Sequence, residues 1–137
     1  MVCRIERTAI TLDYCVDNAL QQIIVNGSSK RSLKRAEGLI CRALTFKLDD
    51  EMKVLLYRQR MEINLILGQY GKAIEDISKA IEVTPNDHGL YITRADILVK
   101  TGKEDHALAD LEKAIELGND IPDVLNARDA LIQSIGR

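Results

Sequence analysis

Aromatic residues are almost missing from this sequence, which has no Trp, one Phe and four Tyr in 137 residues. A β-sandwich of aromatic and β-branched strands is therefore a poor fit, and the many Ala, Leu and Ile residues point to helices packed closely over small side chains. Proline is nearly absent as well. Pro85 and Pro122 are the only two, each placed where a helix is entered or left rather than within one. No stretch approaches the roughly 18 uninterrupted apolar residues of a membrane span, and Met1-Val-Cys-Arg-Ile-Glu-Arg lacks the apolar run of a signal peptide. Cys3, Cys15 and Cys41 are odd in number and have no metal-ligand spacing, which argues against a disulfide framework or a zinc site. Free thiols fit a reducing cytosol, so the expected location is cytoplasmic.

Charge of one sign is lacking too. Nineteen basic and 21 acidic residues leave a net charge of −2, which gives no general attraction for nucleic acid or an acidic membrane surface. The balance of 46% hydrophobic and 29% charged residues suits a folded protein. At this length one domain, 1–137, can bury a continuous core without disulfides or metal.

The informative feature is self-similarity. Val54–Asp87 laid over His88–Ile121 aligns two blocks without a gap. They agree at Leu56/Leu90, Tyr57/Tyr91, Arg60/Arg94, Ile63/Ile97 and Gly68/Gly102, and again at Ala73/Ala107, Asp76/Asp110, Lys79/Lys113, Ala80/Ala114, Ile81/Ile115 and Glu82/Glu116. Each block divides into an apolar helix-period segment, a Gly, a second such segment and a polar stop. Gly68 and Gly102 are expected to end the first helix in the left-handed conformation. The Ala pairs, seven residues apart, lie two turns along one face of the second helix, where small side chains let helices approach.

These residues resemble the tetratricopeptide repeat, a helical hairpin with an aromatic near its start, a small residue at the eighth place, Ala at the twentieth and twenty-seventh, and often Pro near its end. Tyr57, Ala73, Ala80 and Pro85 take those places in one block, and Tyr91, Ala95, Ala107 and Ala114 in the other. Met61 at the eighth place and Asn119 in place of the second Pro depart from the pattern. Setting Ala36 and Ala43 in the two Ala places gives an earlier copy starting near Asp17. The resemblance implies an all-α, right-handed superhelical α-solenoid: repeats at about 17–53, 54–87 and 88–121, a closing helix 122–136 and an N-terminal extension 1–16. Asn119 or Asp120 is the expected N-cap of the closing helix, with Pro122 in its first turn.

One internal comparison gives a sharper expectation. Where the later copies have Arg60 and Arg94, the first has Ile23, and where they have Asp76 and Asp110 it has Leu39. Both members change together, so each Arg is predicted to meet its Asp across the hairpin, with an apolar contact replacing the pair in the first copy. A lone partly buried charge would be costly.

The resemblance further implies a concave surface lined by the first helix of each hairpin, able to hold an extended segment or a helix of a partner. Its expected lining is Gln21 and Val25, then Arg58, Gln59, Glu62 and Leu65, then Ile92, Thr93, Asp96 and Lys100, with Asn126 and Ala127 from the closing helix. Members of the family that grip the acidic C-terminus of heat-shock chaperones place Lys, Asn and Arg at five positions held here by Gln21, Val25, Gln59, Gly89 and Thr93. All five depart, so a carboxylate clamp of that kind is not expected.

The remaining signals are weaker. Lys30, Arg31, Lys34 and Arg35 suit a phosphate or an acidic partner, but without stacking aromatics they read first as a solvated helix face. His88 and His106 fall on different predicted helices with no ligand-spaced Cys, Asp or Glu. Cys15 and Cys41 sit among apolar neighbours and are expected in the core. No Gly-rich phosphate loop, nucleophile elbow or paired carboxylates stand out. The expected protein is a non-catalytic, cofactor-free adaptor for another protein or peptide, with self-association as the alternative and no role for membrane or nucleic acid.

Overall fold

A computed structural model of the chain describes residues 29–118 and 121–136. Six helices are described: α1 Lys30–Ala43, α2 Asp50–Ile66, α3 Tyr70–Val83, α4 His88–Lys100, α5 Glu104–Glu116 and α6 Pro122–Ile135. They fall into two compact units that divide between Gln69 and Tyr70. The second expected repeat, 54–87, thus contributes its first helix to one unit and its second helix to the other. The first helix of the earliest repeat, the extension 1–16, and Gln21, Val25, Ile23, Cys3 and Cys15 lie outside the described residues.

In the first unit, α1 packs on α2. Leu33, Ala36, Ile40 and Ala43 recur at helical spacing and bury one face of α1 against Leu56 and Ile63 of α2. Leu39, the apolar substitute for the Asp of later copies, is partly buried against this cluster. Cys41 is a correction to the expectation of a core residue, because it is exposed. It follows Ile40 by about 100° of helical turn and so leaves the buried face; its Sγ accepts a hydrogen bond of 3.3 Å from Arg60 Nη1. The Asp49 carboxylate caps α2 by accepting from the Met52 amide at 2.8 Å, and Asp50 and Glu51 place negative charge on the first turn.

In the second unit, α3, α4, α5 and α6 pack in sequence order. The core gathers Ala95 and Leu98 of α4, Ala107 and Leu111 of α5, and Val124 and Leu131 of α6. Asp87 caps α4 by accepting from the Gly89 amide, and the Tyr91 hydroxyl donates to the Pro85 carbonyl at 2.9 Å, fastening the start of α4 to the preceding turn. The N-cap of α6 falls on Ile121, with no side-chain cap, rather than on Asn119 or Asp120. Pro122 holds the first helical position, and the residue before a proline is confined to the extended region that Ile121 adopts.

The two glycine turns behave alike. Gly68 and Gly102 take φ of 75° and 76°. The amides of Gly68 and Gln69 return to the carbonyls of Leu65 and Asn64, and those of Gly102 and Lys103 to Val99 and Leu98. This paired return is a Schellman turn, in which the left-handed residue reverses the chain and satisfies the last carbonyls of the helix. Gly38, within α1, takes no left-handed conformation, and a Cβ there would meet nothing within 4 Å. The same substitution should therefore act in opposite directions at the two kinds of site. Gly102→Ala should lower unfolding stability by about 1 kcal/mol, and Gly38→Ala should raise it by about 0.5–1 kcal/mol. Urea unfolding of both variants checks the signs.

A buried ion pair and an apolar notch

Across the α4–α5 hairpin the sequence-derived pairing is met. Arg94 Nε and Nη2 donate to Asp110 Oδ2 and Oδ1 at 2.7 and 2.6 Å, a two-pronged fit of guanidinium to carboxylate. The third nitrogen, Nη1, donates to the Ser78 hydroxyl at 3.2 Å, and the guanidinium carbon stands 5.8 Å from the Tyr91 ring centre, within cation–π range. The Asp110 side chain is 7% exposed and that of Arg94 24%. Hydrogen bonding to Asp110 raises the Arg94 pKa above its ordinary value, against the opposing effect of burial. A group whose pKa is raised on folding stabilises the fold below its unfolded pKa, so this contribution is intact through the neutral range and lost only in strong alkali. The companion expectation, Arg60 with Asp76, joins residues of different units and stays an expectation.

On another face of α4, Ala95, Val99, Leu111, Ala127, Ala130 and Leu131 form the floor of a notch of about 460 Å³. Asp96 and Lys100, one helical turn apart and exposed, complete its lining. Small side chains on α4 and α6 open the space, and the volume lies in the range of ligand-binding clefts. Three of the expected groove positions, Asp96, Lys100 and Ala127, thus lie on one notch.

The other expected positions are distributed as follows. Arg58 and Glu62 are exposed on α2, one turn apart, with Gln59 and Leu65 partly buried beside them. Gln59 Oε1 is buried and has no hydrogen-bond partner among the described residues. Ile92 is partly buried against the core of the second unit, and the Thr93 hydroxyl donates to the Gly89 carbonyl at 2.9 Å, within its own helix. Asn126 is exposed on α6 and does not line the notch. Sequence reasoning missed Ala95, Val99, Leu111, Ala130 and Leu131 as lining residues, although the spacing Ala127, Ala130, Leu131 marks a single helical face. Among the described residues no group of three or more His, Cys, Asp or Glu could hold a metal ion, and no helix is long and apolar enough to cross a membrane.

Helical hairpins with glycine-closed first helices and alanine-faced second helices define a helical repeat protein. Residues 62–87 and 88–120 match the family model for the tetratricopeptide repeat, so this stretch carries two such repeats. The fold is accordingly an all-α solenoid of antiparallel helix hairpins. Among curated proteins, 76 residues are 37% identical to Protein unc-45 homolog B of Xenopus laevis, covering 56% of this chain and 8% of that protein. The chain thus spans under a tenth of the length of that relative. Among solved structures, the Yersinia enterocolitica type III secretion chaperone SycD in complex with a peptide of the translocator YopD is 18% identical, with a TM-score of 0.68 over 90% of this chain and 94% of that one. The first tetratricopeptide domain of Spaghetti (RPAP3), bound to an HSP90 peptide, is 16% identical, with a TM-score of 0.65 over 88% and 95% of the two chains.

The burial asymmetry of the ion pair sets an order of costs. Arg94→Ala leaves a nearly buried carboxylate unpaired and should cost about 3 kcal/mol. Asp110→Ala leaves an arginine that can turn toward water and should cost about 1–2 kcal/mol. Restoring the first copy's apolar pair with Arg94→Ile and Asp110→Leu together should return stability to within about 1 kcal/mol of the parent. Chemical denaturation of the three variants reads the cycle, and simple additivity of the two losses would contradict the pairing.

Proposed function

We propose that the protein is a non-catalytic adaptor that holds an extended segment or a helix of another protein, in the manner of a co-chaperone or assembly subunit. The observation that carries this reading is the notch on α4 and α6, an apolar recess with an acid and a base at its edge. Such a recess takes an aliphatic side chain of a bound segment, while Asp96 and Lys100 select polar groups flanking it. Arg58 and Glu62 supply a second acid–base pair, on α2. Peptides bound to the similar SycD and RPAP3 structures support the reading. The free thiol of Cys41 fits a cytoplasmic setting.

Gln59, Gly89 and Thr93 lack the side chains that grip a chaperone's terminal carboxylate, and the Thr93 hydroxyl is engaged within α4. The preferred ligand is therefore an internal segment of mixed charge with an aliphatic anchor.

An affinity capture from native extract, read by mass spectrometry, tests the assignment. The parent is compared with a triple variant, Arg58→Glu, Glu62→Arg, Asp96→Arg, confirmed helical by circular dichroism. One prey should be retained by the parent and reduced at least about tenfold by the variant, the size expected when charged contacts are reversed. An unchanged prey set would remove these residues from the binding surface.

A further inference from the structure

Beside a polar face of Asn126, Asp129 and Gln133, α6 carries apolar side chains on more than its buried side. Val124 and Leu131 bury one side of it. On the adjoining side Ile132 is 46% exposed and Ile135 38% exposed, with Leu125 partly buried. Leu125, Arg128, Ile132 and Ile135 are separated by three, four and three residues, and the exposed Ile121 extends the row four residues back. This is the alternating spacing of a coiled-coil seam. It runs along a different side of α6 from Ala127 and Ala130, so it does not depend on the notch.

We propose that this seam binds the same seam of a second copy of the chain, antiparallel, as an isologous helix pair. What selects a second copy is the charge at the centre of the row. Arg128 and Asp129 are adjacent, with Arg128 Nη2 2.8 Å from Asp129 Oδ1 and side chains 32% and 58% exposed. When two α6 helices lie antiparallel about Arg128, each arginine meets the aspartate of the other copy, and Leu125 faces the other Ile132. A two-fold arrangement satisfies both charges at once, whereas a parallel or shifted one brings like charges together. A single polar position in an apolar seam fixes register and orientation in this way. Fourteen residues span about 21 Å, which makes a contact smaller than a standard stable interface. The association is therefore concentration-dependent.

Sedimentation equilibrium of the full chain at moderate salt tests the proposal. The parent mass should rise from that of one 15.4 kDa chain toward twice that value within about the millimolar range. Arg128→Asp and Asp129→Arg, each on an exposed helix surface and each checked for helicity, should weaken association about tenfold or more by placing like charges in the seam. An equimolar mixture of the two variants should associate at least as well as the parent, because one chain then brings two acids and the other two bases. Constant monomer mass in the parent, variants that associate like the parent, or a mixture no better than either variant alone would each overturn the inference. Leu125→Gln, which removes an apolar contact and adds no charge, should also weaken the parent but gain nothing from mixing.

Discussion

Close approach of helices at alanine is the constraint on which the rest of this molecule depends. Ala36, Ala43, Ala73, Ala80, Ala107 and Ala114 have no exposed surface. At each of them a larger side chain would have to push a neighbouring helix outward, and overpacking a dense core costs on the order of 1–3 kcal/mol. The near absence of large aromatics belongs to the same economy of space. Short helices of this kind are marginal alone, and they hold because each buries a narrow, small-residue face against its neighbour.

Given that closeness, the Arg94–Asp110 pair is placed where its geometry cannot drift. A buried ion pair is a poor source of net stability, but this one binds α4 to α5 through both oxygens and reaches Ser78 on α3 through the remaining nitrogen. Three consecutive helices are thereby set in register by one guanidinium. The tyrosine beside it adds a second function, since its ring lies by the cation while its hydroxyl holds the turn at Pro85.

Much of this was legible in the sequence because it repeats. The two alignable blocks disclosed the hairpins, the glycine turns and the Arg–Asp pairing, since matched changes at two sites carry information that one site does not. The repeat could not disclose what differs between copies. Cys41 looked like a core residue from its apolar neighbours, yet one residue beyond Ile40 is enough to bring it into solvent. The N-cap of α6 fell one residue beyond the polar candidates because Pro122 dictated its neighbour's conformation. Of the expected groove, Asp96, Lys100 and Ala127 lie on the notch, but most of the apolar floor was hidden, because alanine and valine look the same in sequence whether they fill a core or leave a recess.

The hairpin turn and the ion pair together have a consequence for how such a chain can change length. Thr101-Gly102-Lys103 connects two helices whose faces are keyed to each other by Arg94 and Asp110. One inserted residue there would rotate Asp110 by about 100° away from its partner. The connection from Leu44 to Asp49 is spanned by the 3.3 Å hydrogen bond from Arg60 Nη1 to Cys41 Sγ, a weaker key than a two-pronged ion pair. The joint between α1 and α2 therefore tolerates a change of length better than the inside of the α4–α5 hairpin does.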